Sequence, residues 1–451
     1  MPTIVVGIAL ACAGLLAGCE VSPYHCQANV QCVDEQGDSG ICEPAGFCSF
    51  ADATCTATAR RYPEGAGELA GRCVAASAGG CVRDLAGGNR HLCLIRGDGS
   101  VWCWGGNEAG QLGDGTTIDR ARPVQAKTPL DKKFIQVTAG ENQTCALAGD
   151  GTVWCWGSND SGQLGLVTAA GDLQRDSAIP AQSMWVSGRP PMLTFQPLLA
   201  KRVSTGGKHV CVIGLDGAVA CWGENDSGQC GQDPAASEDV ASPTAVAGLE
   251  EGYVDVALTD TSSAFVKDDG SLFELGDNAS GQLGISSKTA SYMPVRVQIS
   301  SVMAITAGDE HLCAAKDDGS IWCWGYGASV GLADGADQGV PQRVLTGSSV
   351  WSGGSAFQTC AVQGSALLCW GQSTQGQVGN GAIDPENATV QTPTPALIAT
   401  VARAAASRGT TCAITVDGQL WCWGANDHGQ LARGAVGEPV PVPGRVDVVC
   451  P

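Results

Sequence analysis

Short apolar stretches, broken by turn residues, run through most of the chain and repeat at a regular spacing. In the segment that begins at His91, four apolar residues precede an Asp-Gly pair, and the sequence Val-Trp-Cys-Trp follows it at 101–104. Two such stretches around an Asp-Gly turn predict a β-hairpin. On the second strand the two tryptophans point to one side, and the valine and the cysteine point to the other. Both faces of the hairpin are therefore apolar, and both need cover from neighbouring sheets.

Seven segments of the chain align with one another. The position of the first cysteine falls at 93, 145, 211, 264, 313, 360 and 412, with alanine at 264, so the period is close to 50 residues. A period of this length predicts a propeller or a solenoid. We expect an all-β protein in which seven small sheets close into a ring, and helix is not predicted in the repeats. The segment Gly444 to Val449 resembles Phe134 to Thr138, so we expect a final strand that completes the first blade and closes the ring.

Composition and charge limit the fold classes and the partners that the chain is expected to have. The chain has 451 residues with 63 glycines, and its 25 basic and 45 acidic residues leave a net charge of −20. High glycine content fits a turn-rich β protein. A negative net charge disfavours binding to phosphate backbones, so no nucleic-acid partner is expected.

The N-terminal residues predict that the protein is exported from the cytoplasm. Residues 4–18 are uncharged and apolar but too short for an ordinary membrane span, and they end in Leu16-Ala17-Gly18-Cys19. This ending looks like a bacterial lipobox, although no Lys or Arg precedes the apolar run. We predict a signal peptide over residues 1–18 and lipidation of Cys19, which places the protein on the cell envelope at a periplasmic or extracellular face. A buried N-terminal helix is the alternative.

Cysteines recur in pairs within the repeats. Five repeats have nine residues between the two cysteines, and the sixth has eight because Gly364-Ser365 shortens the turn. The fourth repeat loses both together, with Ala264 and Glu274 in their places. Opposite residues of a hairpin lie within disulfide range, whereas one pair per blade does not supply the four ligands of a structural metal site. The predicted disulfides join Cys93 to Cys103, Cys145 to Cys155, Cys211 to Cys221, Cys313 to Cys323, Cys360 to Cys369, and Cys412 to Cys422.

The remaining cysteines suggest a second module. Besides Cys19, residues 19–80 hold an even set of six cysteines, which predicts a small disulfide-rich module whose connectivity the sequence leaves open; the six are Cys26, Cys32, Cys42, Cys48, Cys55 and Cys73. The propeller then covers residues 81–451. Cys81 opens it and Cys450 ends it, so we expect a disulfide that locks the ring. Cys230 is expected to be a buried thiol.

The repeat residues resemble the regulator of chromosome condensation repeat family. The family pattern of an Asp-Gly turn, a Trp-Gly strand end and an Asn-x-x-Gly-Gln-Leu-Gly tail is matched at Asn107 to Gly113 and at Asn159 to Gly165. The resemblance covers roughly residues 81–450 and implies a seven-bladed β-propeller. The fourth and fifth repeats depart from the pattern, at Phe273 to Leu275 and at Val330 to Leu332.

Candidate chemistry is sparse. His91, His209 and His311 share one repeat position, but Gln, Ser and Thr fill it elsewhere, so a hydrogen-bonding slot competes with a metal or acid–base role. Asp150-Gly151 and Asp269-Gly270 are interpreted as turns rather than calcium loops. No Gly-x-Ser-x-Gly or His-Glu-x-x-His motif occurs. We therefore predict that the protein is not an enzyme and that it has no catalytic residue, no metal and no cofactor.

The connection after the second repeat is the least regular one. Gly165 to Val203 spans 14 positions more than the matching segment after the first repeat. Its Trp185, Arg189 and Phe195 form a candidate binding loop, since aromatic side chains on long loops are frequent in interfaces. The alternative is a loop that packs its own aromatic side chains on the blade edge.

These observations favour a non-catalytic, surface-anchored binding or scaffold protein. It would present propeller loops to an extracellular protein or glycan, as a monomer that reaches the membrane through its lipid anchor only. The alternative is an inhibitor of a secreted enzyme, because bacterial β-lactamase-inhibitory proteins with a similar propeller exist. A lyase or hydrolase is a third hypothesis, and it predicts clustered acids and histidines at one rim.

Overall fold

The computed structural model describes residues 82–166, 176–189, 192–352, 356–383 and 389–448, together with 41–42, 48–51 and 60–61. The chain divides into two compact units, Met1–Ala76 and Ser77–Pro451. In the first unit the strands Ile41–Cys42, Cys48–Ala51 and Arg60–Arg61 form one antiparallel sheet in that order. The predicted signal peptide, the lipidation site Cys19 and the expected Cys81–Cys450 bond lie outside the described residues.

The second unit contains seven four-stranded antiparallel sheets, each built from strands that follow one another in the chain. This arrangement confirms the predicted all-β, seven-bladed β-propeller. We number the blades along the chain and name the strands inner, second, third and outer. Blade 1 consists of Val82–Gly87, His91–Arg96, Val101–Gly105 and Arg120–Gln125, and blade 2 of Phe134–Ala139, Gln143–Ala148, Val153–Gly157 and Ser177–Gln182. Blade 3 consists of Ala200–Thr205, His209–Gly214, Val219–Glu224 and Asp239–Ala245, and blade 4 of Tyr253–Leu258, Ser262–Lys267, Leu272–Gly276 and Ser291–Arg296.

Blades 5 to 7 follow the same plan. Blade 5 consists of Val302–Ala307, His311–Lys316, Ile321–Gly325 and Gln338–Leu345, with a short helix at Gly327–Val330. Blade 6 consists of Ser348–Ser352, Gln358–Gln363, Ala366–Gln372 and Thr389–Ala399, and blade 7 of Val401–Ala406, Thr410–Thr415, Leu420–Asn426 and Gly437–Val446. The helix lies where the fifth repeat departs from the tail pattern, and Gly331 ends it in the left-handed region.

The central hairpin of each blade has the predicted register. Cys93 lies opposite Cys103, and the three-residue turn between the strands places Gly99 at a φ of 83°, which favours glycine. In blade 6 the shorter Gly364-Ser365 turn keeps Cys360 opposite Cys369. Six blades carry a disulfide in this place, each with a Cα–Cα distance of 4.1 Å. Blade 4 pairs Ala264 with Glu274 instead.

The hydrophobic core lies in layers between neighbouring blades. Cys103 and Val101 of blade 1 pack with Phe134 and Trp156 of blade 2, whereas Trp104 packs with blade 7. The two faces of one strand thus serve two different layers, as the alternation of apolar side chains requires. The buried tryptophan of each third strand, other than in blade 4, donates its indole N–H to a backbone oxygen of the preceding blade. These bonds join Trp104 to Gln430, Trp156 to Gln111, Trp222 to Gln163, Trp324 to Gln282, Trp370 to Ser329, and Trp423 to Gln377.

The predicted closing strand was wrong. The C-terminal strand pairs with the third strand of its own blade, where Val446 lies opposite Leu420. Blade 1 already has an inner strand, Val82–Gly87, whose apolar positions match those of the other inner strands. Each blade is therefore continuous in sequence. Blades 7 and 1 meet through side chains, including the bond from Trp104 to Gln430 and an ion pair of Arg403 with Asp84.

The long connection after blade 2 forms a β-hairpin. Met184–Arg189 pairs with Met192–Pro197, with Trp185 opposite Gln196 and Val186 opposite Phe195. The first of these strands lies beside the outer strand of blade 3, Asp239–Ala245. The segment is thus regular structure, which the irregular spacing did not predict. Its role in binding stays a prediction.

Candidate functional site: the loop ring

One end of the central channel is surrounded by the loops that join the inner strand of each blade to the second strand. We call these loops the loop ring; its described members are residues 88–90, 140–142, 206–208, 259–261, 308–310, 356–357 and 407–409. Backbone hydrogen bonds link successive loops, for example from Glu141 N to Gly207 O (2.9 Å) and from Asp260 N to Asp309 O (3.0 Å). Side chains on the ring are therefore held by a rigid scaffold.

Close packing explains the glycines of the ring. A Cβ atom on Gly88 would lie 2.4 Å from Gly140 O, and one on Gly140 would lie 2.2 Å from Gly206 O. Any other residue would push neighbouring blades apart. These glycines therefore allow charged residues of different blades to approach one another around the channel.

The loop ring gathers acidic side chains from four blades. Glu141, Asp260, Asp309 and Glu310 belong to the ring, and Glu224 ends the third strand of blade 3 beside it. Burial raises the pKa of Asp260 to about 6, with Glu141, Glu310 and Glu224 adding to the rise and Arg408 opposing it. Strongly shifted acids in a concave site are typical of functional sites.

Asp309 is the most buried of these acids. Its residue exposure is 2%, and its Oδ2 has no hydrogen-bond partner among the described residues. Burial and the neighbouring Asp260 raise the pKa of Asp309 well above its usual value. Arg408 supplies the nearby cation: its Nε lies 3.7 Å from that oxygen, and its guanidinium stacks over the Phe357 ring at 5.5 Å. The loop ring holds four acids and three cations, Arg90, Lys208 and Arg408, of which Arg408 lies across Asp309.

The repeat histidines do not face this site. His91, His209 and His311 are buried, and each Nε2 lies within 2.9 Å of a hydroxyl oxygen in the next blade. The hydroxyl of Thr144 donates to Gln111 O, so it accepts from Nε2–H of His91. Burial lowers the pKa of His91 and His209 to about 3 and that of His311 to about 4, so the rings are neutral. This geometry fits the hydrogen-bonding slot rather than acid–base chemistry.

A sequence signal for these bonds was missed. A hydroxyl residue, Thr144, Ser263 or Thr359, stands one position after the slot in the blade that follows each histidine. The slot residue Gln143 instead donates to Gly207 O at 2.9 Å. In blades 1 to 6, a blade with a histidine in the slot alternates with a blade that has a hydroxyl residue one position after the slot. This alternation predicts the hydrogen bond between each histidine and the hydroxyl of the next blade.

The Asp-Gly pairs are turns. In blade 4, Asp269 Oδ1 accepts hydrogen bonds from the backbone N–H and the hydroxyl of Ser271, and Asp150 does the same with Thr152 in blade 2. The carboxylates therefore stabilise their own turns. Within the described ranges, no group of three or more His, Cys, Asp or Glu side chains is placed to hold a metal ion. Cys230 is buried and unbonded to another cysteine.

The channel behind the loop ring contains a small cavity. Its volume is about 180 Å³, and it is lined by the inner strands of blades 1 to 5, including Thr138, Ser204 and Thr306. The candidate loop residues Trp185, Arg189 and Phe195 lie on the hairpin beside blade 3, outside the ring. Among the residues described, no helix reaches the length and apolarity that a membrane crossing needs.

The fold and the ring define the class: a β-propeller made of seven tandem repeats. Residues 98–147, 150–213, 216–266, 269–315 and 417–449 match the Regulator of chromosome condensation (RCC1) repeat, and a second description of the same repeat matches 82–111, 134–163, 200–229, 302–329 and 401–430. The chain belongs to the RCC1 repeat family. Propellers of this family are protein-interaction scaffolds, and most of them serve binding or regulation.

Relatives show the same repeats in different settings. The chain is 29% identical to the human E3 ubiquitin-protein ligase HERC2 over 75% of its own length, but it spans only 7% of that protein. It is 27% identical to the ultraviolet-B receptor UVR8 of Arabidopsis thaliana, over 77% of this chain and 78% of the receptor. Among solved structures, Saccharomyces cerevisiae Prp20p superposes with a TM-score of 0.65 at 22% identity, covering 77% of this chain and 86% of that one. That last likeness supports the fold alone.

Proposed function

We propose that the protein is a non-catalytic binding or scaffold protein, anchored at the cell surface, that presents the loop ring to an extracellular protein or glycan. The observation that carries the proposal is the clustering of Glu141, Asp260, Asp309 and Glu310 at one end of a rigid propeller. The lipobox that ends at Cys19 supports an anchor, and the six blade disulfides fit an oxidising compartment.

The chemistry of the ring favours a protein partner with basic groups. Carboxylates that are fixed in place and partly shielded from water attract Lys and Arg side chains, and such charge complementarity guides association. Arg408 stacks on Phe357 beside Asp309, which illustrates how a second guanidinium would be accommodated. The same end has few exposed aromatic rings on which sugars stack: among the described residues the exposed ones there are Tyr292 and Tyr326, which belong to different blades.

A comparative capture experiment tests the proposal. The full chain, tagged at its C-terminus, is crosslinked in the cells that produce it, and the bound proteins are identified by mass spectrometry. The test variant is Glu141→Gln with Glu310→Gln, which neutralises two half-buried ring acids and keeps their shape. The control is Glu250→Gln with Glu251→Gln, because both residues are exposed at the opposite end of the propeller.

We expect one dominant protein with the natural chain and the control, and about tenfold less of it with the ring variant. Equal recovery from all three chains would contradict the proposal. Dose-dependent inhibition of a secreted β-lactamase by the natural chain and the ring variant alike would favour the inhibitor hypothesis instead.

A further inference from the structure

The loop ring holds more negative charge than its own cations neutralise. Arg90 pairs with Glu108 at 3.9 Å, and Lys208 pairs with Glu224 at 4.0 Å, so each of these two cations has an acid outside the ring as its partner. Among the described residues, Arg408 is then the one ring cation left for the four ring acids. This imbalance is the charge complementarity that a cationic group of a partner needs.

One oxygen of Asp309 faces the opening of the ring with its hydrogen-bonding capacity unused. Asp309 is buried, and its Oδ2 accepts no hydrogen bond from any described residue. The Nε of Arg408 stays 3.7 Å away from it, which is beyond the length of a hydrogen bond. Arg408 belongs to blade 7 and Asp309 to blade 5, so the contact reaches past blade 6 and the oxygen points across the opening. A buried carboxylate oxygen without a donor is costly, and a ligand that brings several N–H donors would relieve that cost.

Asp260 supplies a second carboxyl beside the first. Its backbone N–H donates to Asp309 O at 3.0 Å, and its charge contributes to the raised pKa of Asp309. The half-buried side chain of Asp260 makes no hydrogen bond within the described ranges. A Cβ atom on Gly308 would lie 2.3 Å from Ala356 O, so the loop that carries Asp309 is packed tightly against blade 6. The two carboxyls are therefore held in place before a ligand arrives.

The chemistry of the pair favours a guanidinium over a metal ion or an ammonium group. No three His, Cys, Asp or Glu side chains of the described residues are placed to hold a metal ion. Two carboxyls on adjacent loops match the several N–H donors of one planar guanidinium, whereas an ammonium group is a compact point charge. The guanidinium of Arg408 already stacks over the Phe357 ring at 5.5 Å. Tyr326, whose N–H donates to Glu310 O, packs against Phe357 and adds exposed aromatic surface beside the acids.

Building on the proposed function, we propose that the loop ring binds one arginine side chain of the partner protein, whose guanidinium displaces Arg408 and pairs with both Asp309 and Asp260. Arg408 covers Asp309 in the free protein, and its side chain is 50% exposed. It makes no hydrogen bond to a described residue, so none is broken when it moves into solvent. Charge-assisted hydrogen bonds to two carboxylates are stronger than the 3.7 Å contact that they replace.

The proposed site makes binding depend on pH. Burial raises the pKa of Asp260 to about 6 and that of Asp309 well above its usual value. The charged groups around the pair are Glu141, Glu224 and Glu310, which add to the rise, and Arg408, which opposes it. A guanidinium binds the ionised carboxyls, so binding releases the proton of Asp309 to solvent and competes with protonation of Asp260. At pH 5.5 about one quarter of Asp260 is ionised, so binding is weaker there than at pH 8.0 by about fourfold or more.

Peptide binding to the full chain tests the site. The probe is the tripeptide Gly-Arg-Gly, capped at both ends and titrated by saturation-transfer NMR in 150 mM NaCl at pH 8.0 and pH 5.5. The compared peptides replace the arginine by lysine, by glutamate, or by citrulline, which has a similar shape without the charge. The variants are Asp260→Asn, Asp309→Asn and Arg408→Ala. The control is Arg343→Ala, because Arg343 is an exposed arginine on the outer strand of blade 5, outside the ring.

At pH 8.0 we expect the arginine peptide to bind at least tenfold more tightly than the citrulline and glutamate peptides, and severalfold more tightly than the lysine peptide. Asp260→Asn and Asp309→Asn each weaken its binding about tenfold, as the loss of one charge-assisted pair predicts. Arg408→Ala strengthens it severalfold because the competing guanidinium is gone, and Arg343→Ala leaves it unchanged. If Asp309→Asn does not fold, Asp260→Asn and Arg408→Ala decide the matter.

Two results would overturn the proposal: equal binding of the arginine peptide and either the citrulline or the lysine peptide, and weaker binding after Arg408→Ala. The outcomes also separate this site from the proposed function. A captured partner that depends on Glu141 and Glu310, together with equal binding of the arginine and citrulline peptides, would overturn the arginine site alone. Peptide binding with the expected preferences but without a captured partner would support the site and contradict the proposed function.

Discussion

Each repeat histidine is held neutral between two blades, and this placement makes the stability of the fold depend on pH. His91 Nε2 lies 2.8 Å from Thr144 Oγ1, and its Nδ1 has no hydrogen-bond partner among the described residues. The folded-state pKa is about 3, whereas the unfolded chain titrates near 6.5. The contribution of this neutral histidine to the free energy of unfolding is therefore fully present above pH 6.5, and it is lost as the pH falls towards the folded-state pKa.

We predict that replacing all three histidines with glutamine flattens this pH dependence. Gln143 and Gln358 occupy the same slot in other blades, so the variant His91→Gln, His209→Gln, His311→Gln should fold. Between pH 7 and pH 5 the natural chain should lose about 2 kcal/mol per histidine more than the variant does. Urea unfolding at the two pH values measures the difference. Parallel losses in the two chains would show that the histidines are not held neutral.

At the scale of the element, blade 4 differs from the other six. It has no disulfide, and Leu275 replaces the buried tryptophan, so the hydroxyl of Ser263 donates to Gln229 O at 2.7 Å without the indole N–H that accompanies such a bond in blade 2. Glu274 stands in the place of a cysteine and is fully buried. Burial raises its pKa well above the usual value, and the Trp324 indole opposes that rise only in part. Such a group stabilises the fold below its unfolded pKa and ceases to do so as the pH rises.

We predict that a seventh disulfide strengthens this blade. Ala264 lies opposite Glu274 in the register that the bonded cysteines share, so Ala264→Cys with Glu274→Cys should form the bond. A closed loop of this size contributes about 2 to 3 kcal/mol. The gain over the natural chain should increase between pH 5 and pH 8, because the buried carboxyl is also removed.

Thermal unfolding across that pH range measures the effect, and Glu274→Leu serves as the control without a crosslink. That control should share the altered pH dependence but lack the gain that the crosslink adds. A double-cysteine chain that oxidises fully yet unfolds like the natural one would contradict the expected gain from a seventh disulfide.

The elements were predictable from local pattern, because hairpin register depends on residues about ten positions apart. The three-residue turn Gly97 to Gly99 predicted the register of the hairpin in blade 1. The joint loss of both cysteines at Ala264 and Glu274 predicted that these two positions lie opposite each other. The closing strand was mispredicted because Gly444 to Val449 and Val82–Gly87 have similar patterns, and only three-dimensional pairing distinguishes an outer strand from an inner one.

At the scale of the molecule, closure of the ring brings together acids that are far apart in the chain. The loop ring collects Glu141, Asp260, Asp309 and Glu310 at one end of the channel. This grouping was not predictable from the repeats, because ring closure brings together residues about 50 or more positions apart. The net charge of −20 shows that the chain is acidic, but it does not show where on the propeller the acids meet.

Site-specific photocrosslinking tests the central claim most directly. A photoreactive amino acid is placed at Glu310 on the loop ring, at Trp185 on the hairpin beside blade 3, or at Glu251 at the opposite end, and intact cells are irradiated. We predict a discrete crosslinked partner from the chain labelled at Glu310, and no crosslink to that partner from the chain labelled at Glu251. Crosslinking from Trp185 with none from Glu310 would contradict the claim and place the binding site on the hairpin.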